Sequence, residues 1–351
     1  MNALPNDVRE ASFAATALIR LPAQKPPWQS TGIQVLHGQS YSLFAAGRIQ
    51  WSPRHPTLFG GPRFHLWARV APGGRIVNLT TETGTFMADV SGEVELGLYM
   101  GLWKNDAGEL ATGTSLYDAL QGHIDVLAIA WRGAAKPALS AVASATAPPT
   151  FIADELVRIA ANIAPPDGWR YLLETGHAEI FTDALDAAGR RTIKLDAQDD
   201  QGIVRKPVEF ALTPNAQISW RWRMLAQPSA RAEDSVHTHD YVSIAAEFDN
   251  GRDLTWIWSS ALAPGTHFDC PIRAWTARET HWVVRSGTAA IGEWCAEHRN
   301  VFVDVSVAMG TPPPRIVAVW LIGVSTFQHG TARTEFADIV LHNASGRLQV
   351  L

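Results

Sequence analysis

The chain has 351 residues, 46% of them hydrophobic and 18% charged, with a formal net charge of -5. That length exceeds one ordinary domain and makes two the expectation, while the acidic balance and the lack of any basic run exclude nucleic acid as a partner. No window approaches 18 uninterrupted apolar residues, which argues against a membrane partner, and the two cysteines, Cys270 and Cys295, are too few for a disulfide framework.

Residues 1–16 read as a loose leader. Asp7 and Glu10 stand where a secretion signal would carry basic residues, so a reduced, cytoplasmic location is expected. From Ala17 onward, short alternating segments are separated by Gly and Pro at the spacing of a β-sandwich. Ile33–Leu36, Tyr41–Ala45, Phe64–Val70, Glu93–Met100 and Ile124–Trp131 read as strands, divided by turn residues such as His37-Gly38 and Pro72-Gly73-Gly74. Residues 134–149, rich in Ala, Ser and Pro, read as a linker. Thr150 then caps a helix over about residues 151–161, with Ile152, Leu156 and Ile159 on one face, that ends before Pro165-Pro166.

Beyond Asp167 the strand pattern returns. Trp169–Glu174, Ala178–Phe181, Thr192–Ala197, Val208–Leu212 and the Ile218 segment come first. Tyr241–Phe248, Leu254–Ser259, Trp282–Arg285, Val301–Val307, Ile316–Ile322 and Arg333–Leu341 follow. No βα alternation appears, so the fold class is all-β: two jelly-roll-like β-sandwich domains, residues 17–133 and 150–351, with one short helix after the linker.

Two resemblances accompany this pattern. Trp28-x-x-Thr31-Gly32-Ile33, Gly38–Tyr41, Phe44–Gly47, Thr83–Phe86 and Gly122-x-Ile124-x-Val126 resemble the PA-I-like galactophilic lectin domain over residues 17–133. That resemblance implies a small sandwich holding sugar through calcium. Residues 103–114 put Lys104 among the few oxygen ligands there, so no bound calcium is expected. Further on, Gly202–Arg205, Ser219-Trp-Arg-Trp-Arg, Asp240-Tyr241, Trp256-x-Trp258-Ser259 and Val284–Gly287 stand in order. With Trp294, Arg299–Val301, Asp304 and Pro312-Pro313, they resemble the bacterial domain of unknown function 3047 over residues 168–343. Where that family is expected to carry an Asp-rich loop, this chain has Ser325–Gly330, which has no carboxylate to hold a cation.

Strand parity selects the candidate site. Ile218, Trp220, Trp222 and Met224 share one face of a strand, with Ser219, Arg221 and Arg223 on the other. Tyr241, Ser243 and Glu247 form a polar face on a second strand, and His281, Val283 and Arg285 fall together on a third. Lying side by side, these strands would make a polar wall of Arg221, Arg223, Arg285, Tyr241, Glu247 and His281 with a surplus of positive charge. The alternative is a structural network in which the carboxylates neutralise the guanidiniums.

His237-Thr-His239-Asp240 places two imidazoles on one side of an extended segment, as acid–base partners or metal ligands require; a third ligand would come from His267, Asp269 or His329. Cys270 has no base partner in view beyond nearby His267. Trp256 and Trp258 share one strand face, as core or as a stacking platform. No Gly-rich phosphate loop, GxSxG or HExxH occurs, and neither a cofactor nor a metal is assigned. Two functions stay open: binding of a small molecule or carbohydrate in an Arg- and Trp-lined cleft, or lyase, isomerase or hydrolase chemistry there through His237, His239, Asp240 and His281.

Overall fold

A computed structural model describes residues 5–145 and 149–351, which fall into two compact units, Met1–Ile163 and Ala164–Leu351. Residues 1–4 of the expected leader and 146–148 of the expected linker lie outside the described residues. No helix among those described is long and apolar enough to cross a membrane.

The first unit is a sandwich of two antiparallel sheets. One runs in the order Phe13–Pro22, Gln121–Trp131, Ser40–Gln50, Phe59–Gly60, with Thr83–Met87 also paired to Ser40–Gln50. The other runs Trp28–Val35, Gly92–Leu98, Leu66–Ala71, Val77–Asn78. Alternate residues such as Leu43, Leu66, Val70, Leu96, Ile124 and Val126 meet in its core, as the period of two requires.

Two segments differ from the sequence reading. Within the expected leader Asn6–Ser12 is a helix running directly into the first strand, and the supposed linker holds a helix, Ala135–Ala143. Ala is the best helix former, and Pro137 falls in the first turn, where its missing N–H costs nothing. Ala135, Leu139 and Val142 lie on one face and bury against Phe44, Trp131 and Ile152, so helix Thr150–Ala161 packs into the first unit. Thr150 is the first helical residue and not the cap, and the helix ends at Asn162 in the left-handed conformation, φ 45°.

The second unit is a larger sandwich. Its six-stranded sheet runs Phe181–Leu185, Arg191–Gln198, Thr331–Asn343, Gln217–Ala226, Cys295–Asn300, with Gly346–Gln349 on Thr331–Asn343. Its seven-stranded sheet runs Arg170–Tyr171, Gln201–Ala211, Arg315–Val324, Val242–Phe248, Asp253–Ser259, Glu279–Ser286, His267–Asp269. Ladders are antiparallel except between Asp253–Ser259 and Glu279–Ser286. Ile218, Trp220, Trp222 and Met224 enter the core against Trp256, Trp258, Leu254 and Phe336. The expected strand Val301–Val307 is a helix, Val301–Ala308. Asn300 caps it, its Oδ1 accepting from the Val303 N–H at 3.0 Å, and that local bond overrides the β preference of the valines.

Candidate metal centre in the C-terminal unit

In the central strands of the seven-stranded sheet, Val242–Phe248 and Asp253–Ser259, both faces are buried. Val242, Ile244, Ala246 and Phe248 point into the sandwich core, so Ser243, Ala245 and Glu247 point the other way. Across the ladder, Thr255 lies beside Ala245 and Asp253 beside Glu247; His281 then lies beside Thr255 and Glu279 beside Asp253. The expected common polar face of the Tyr241 and His281 strands is therefore present. Ser243, Asp253, Thr255 and His281 are each 0% exposed.

Residues 227–241 and 260–278 bring His239 and Cys270 to this face. His239 sets Nδ1 2.6 Å from the Glu233 carbonyl, which fixes the proton on Nδ1 and leaves the Nε2 lone pair facing Cys270 Sγ at 3.4 Å. The Tyr241 hydroxyl donates to Glu279 Oε1 at 3.0 Å, with Thr255 Oγ1 3.3 Å from the same oxygen, so Oε2 is turned toward His281 Nε2, 3.6 Å away. The His239 and His281 rings meet edge to face at 4.9 Å, and Phe268 stacks on His281 at 5.0 Å.

One ligand atom from each of His239, Cys270, Glu279 and His281 lies within 4.8 Å of the other three. Zinc bonds of about 2.3 Å to sulfur and about 2.0 Å to nitrogen or oxygen put neighbouring tetrahedral ligands roughly 3.3–3.5 Å apart. The separations of 3.4 Å for sulfur to nitrogen and 3.6 Å for oxygen to nitrogen are close to that. Neither nitrogen of His281 has a hydrogen-bond partner, which is costly for a group with no access to water. Burial pushes His239 down to about 4, His281 well below its ordinary value, and the Cys270 thiol and Glu279 carboxyl up. Burial thus disfavours the charged form of each group, and a dication would favour the ionised thiol and carboxyl there.

The other expected site residues lie elsewhere. Arg221 and Arg223 stand on the six-stranded sheet, not beside Tyr241 and His281. Arg221 Nε bonds Asp338 Oδ2 at 2.6 Å, Arg223 Nε bonds Glu335 Oε2 at 2.9 Å, and Trp294 stacks against both guanidiniums. Arg285 meets Glu297 at 2.8 Å, and Glu247 meets Arg205 at 2.6 Å. Each guanidinium is matched by one carboxylate, so the expected positive surplus is absent at these positions. Trp256 and Trp258 are 0% and 2% exposed core residues and make no stacking platform. Their indole N–H groups donate to Asp304 and to the Gly287 carbonyl.

The His-x-His reading divides. His239 is buried in the cluster, whereas His237 is exposed and its carbonyl accepts from Gln328 Nε2. Asp240 accepts from the backbone N–H groups of Phe327 and Gln328, at 2.9 and 2.6 Å, and so anchors the Ser325–Gly330 loop. His267 and Asp269 are exposed and His329 pairs with Asp199, so the further ligands are not those three. The groups that do lie beside His239 and His281 are Cys270 and Glu279, which the sequence reading did not assign. Cys270 does have an imidazole partner, His239, 31 residues earlier.

The C-terminal unit is a β-sandwich whose second sheet carries a buried ligand set. Residues 181–340 match the profile of a family described as a protein of unknown function (DUF3047). The N-terminal part is similar in structure to the EclA N-terminal domain, a PllA-like lectin, at 14% identity. That match covers 34% of this chain and 98% of the other, with a TM-score of 0.27. The chain is also similar to the xyloglucanase domain of NopAA from Sinorhizobium fredii, at 10% identity over 50% of this chain and 94% of that one, TM-score 0.32. A tandem CBM22 domain of Paenibacillus barcinonensis Xyn10C shares 10% identity over 95% and 93% of the two chains, TM-score 0.26. No curated protein sequence matches.

Proposed function

We propose that the C-terminal unit is a metal-binding domain holding one divalent transition ion of the zinc class through His239 Nε2, Cys270 Sγ, Glu279 Oε2 and His281 Nε2. The observation that carries this is His281, 0% exposed with both ring nitrogens unpartnered among three other ligand atoms. One thiolate, two imidazoles and a carboxylate suit zinc, whereas calcium takes six to eight oxygens. The reading favours a binding protein over acid–base catalysis at His239: with Nε2 on the ion and Nδ1–H on the Glu233 carbonyl, no nitrogen is left to move a proton. It makes no use of the Arg221–Arg223 face, whose guanidiniums are held by Asp338 and Glu335.

The test is a competitive titration of chelator-treated full chain with zinc, backed by elemental analysis. One equivalent bound by the wild type and a loss of at least about 100-fold in affinity for His281→Ala is the expected result. Failure of the folded wild type to take up any zinc or cobalt would overturn the proposal.

A further inference from the structure

Resting on the metal reading, we infer that the ion is a lock, which pins residues 227–241 and 270–278 onto the polar face of the seven-stranded sheet. The ligands are divided in a way that suits this role. Glu279 and His281 sit on an interior strand of that sheet, paired on one side to Asp253–Ser259 and on the other to His267–Asp269. His239 and Cys270 arrive from the two connecting segments, which meet at the Sγ to Nε2 contact of 3.4 Å.

What lies beneath these segments explains why a lock is needed. An apolar sheet face holds its cover by the hydrophobic effect, but this face presents Ser243, Asp253, Thr255, Glu279 and His281. Ser243 Oγ, Asp253 Oδ2 and both His281 nitrogens are buried without hydrogen bonds. Water would satisfy all of them, so opening the cover is favoured at these atoms. Some ties oppose it: Glu233 accepts from Ser259 Oγ and the Ser260 N–H, Asp240 anchors residues 327 and 328, His267–Asp269 pairs with Glu279–Ser286, and the Cys270 N–H and Tyr241 hydroxyl donate to Glu279. The centre, at His239 and Cys270, is where ion bonds would act. Occupancy therefore governs whether Ser243, Asp253 and Thr255 are shielded or open to solvent.

Hydrogen exchange on the full chain, chelator-treated and then with zinc chloride added, tests this. Peptides within 234–241 and 270–278 should exchange at least about tenfold more slowly with zinc, while those in Gln217–Ala226 and Thr331–Asn343 stay unchanged. Cys270→Ser with zinc should keep the open pattern of the metal-free wild type. One bound ion with no change in exchange would overturn the lock and leave the metal site standing. A slowing spread evenly over the whole second unit would also overturn it, since the ion would then hold the domain and not two segments. No ion bound at all would instead defeat the metal reading itself.

Discussion

At the scale of single residues, the second sphere of the proposed site is as informative as the ligands. The Tyr241 hydroxyl holds Glu279 Oε1 and so directs Oε2 toward His281. Tyr241→Phe removes that bond with little change of shape, and outer-sphere losses of this kind weaken metal affinity about 10–100-fold. Competition titration should show that loss with one equivalent still bound; unchanged affinity would remove Tyr241 from the site. The arginines give a contrasting expectation. Arg223 neutralises Glu335, which is 6% exposed, so Arg223→Ala leaves that nearly buried carboxylate with Lys194 at 4.0 Å and should cost about 1–3 kcal/mol in denaturant unfolding. Arg221 pairs with Asp338, whose side chain is 46% exposed, and Arg221→Ala should cost less than about 1 kcal/mol. Neither substitution should alter zinc stoichiometry.

At the scale of elements, the sequence was legible where periodicity acts locally. Alternation located the Ile218, Tyr241 and His281 strands, but a register shift after Val283 takes Arg285 off the His281 face and sets it against Trp258. Parity does not say which sheet a strand joins. The Ile218 strand pairs with Thr331–Asn343 and Cys295–Asn300, so the arginine face and the histidine face belong to different layers. The same limit hid the proposed ligand set, because Cys270 and His239 are joined by folding and not by any spacing motif. A composition-based reading also turned Ala135–Ala143 into a linker, although the spacing of Ala135, Leu139 and Val142 is helical. Leu139→Ala distinguishes the two. A linker residue would tolerate it, whereas Leu139, 0% exposed against Trp131, should cost about 2–5 kcal/mol of the first unit's stability.

At the scale of the whole molecule, two units with separate cores should answer to different chemical signals. Zinc is expected to act on the second unit. Acid has an identifiable point of attack in the first, at His65, which is 1% exposed. Its Nε2 accepts from the Trp51 indole N–H at 2.7 Å, and its Nδ1–H donates to the Tyr99 carbonyl at 2.9 Å. The neutral ring is therefore fully satisfied, and protonating Nε2 would break the Trp51 bond inside the core. Burial lowers the folded-state pKa from 6.5 to about 4. Between those values the unfolded chain binds a proton that the folded unit refuses, so stability falls as pH falls. Above 6.5 this group contributes no slope, and below about 4 the loss is complete. A shift of that size corresponds to about 3 kcal/mol. Denaturant unfolding of the first unit, followed from pH 8 to 4, should show up to one proton's worth of slope in that window. His65→Gln removes the titrating group, so the variant should lose that part of the slope; the same slope in both proteins would show that His65 does not set the acid response.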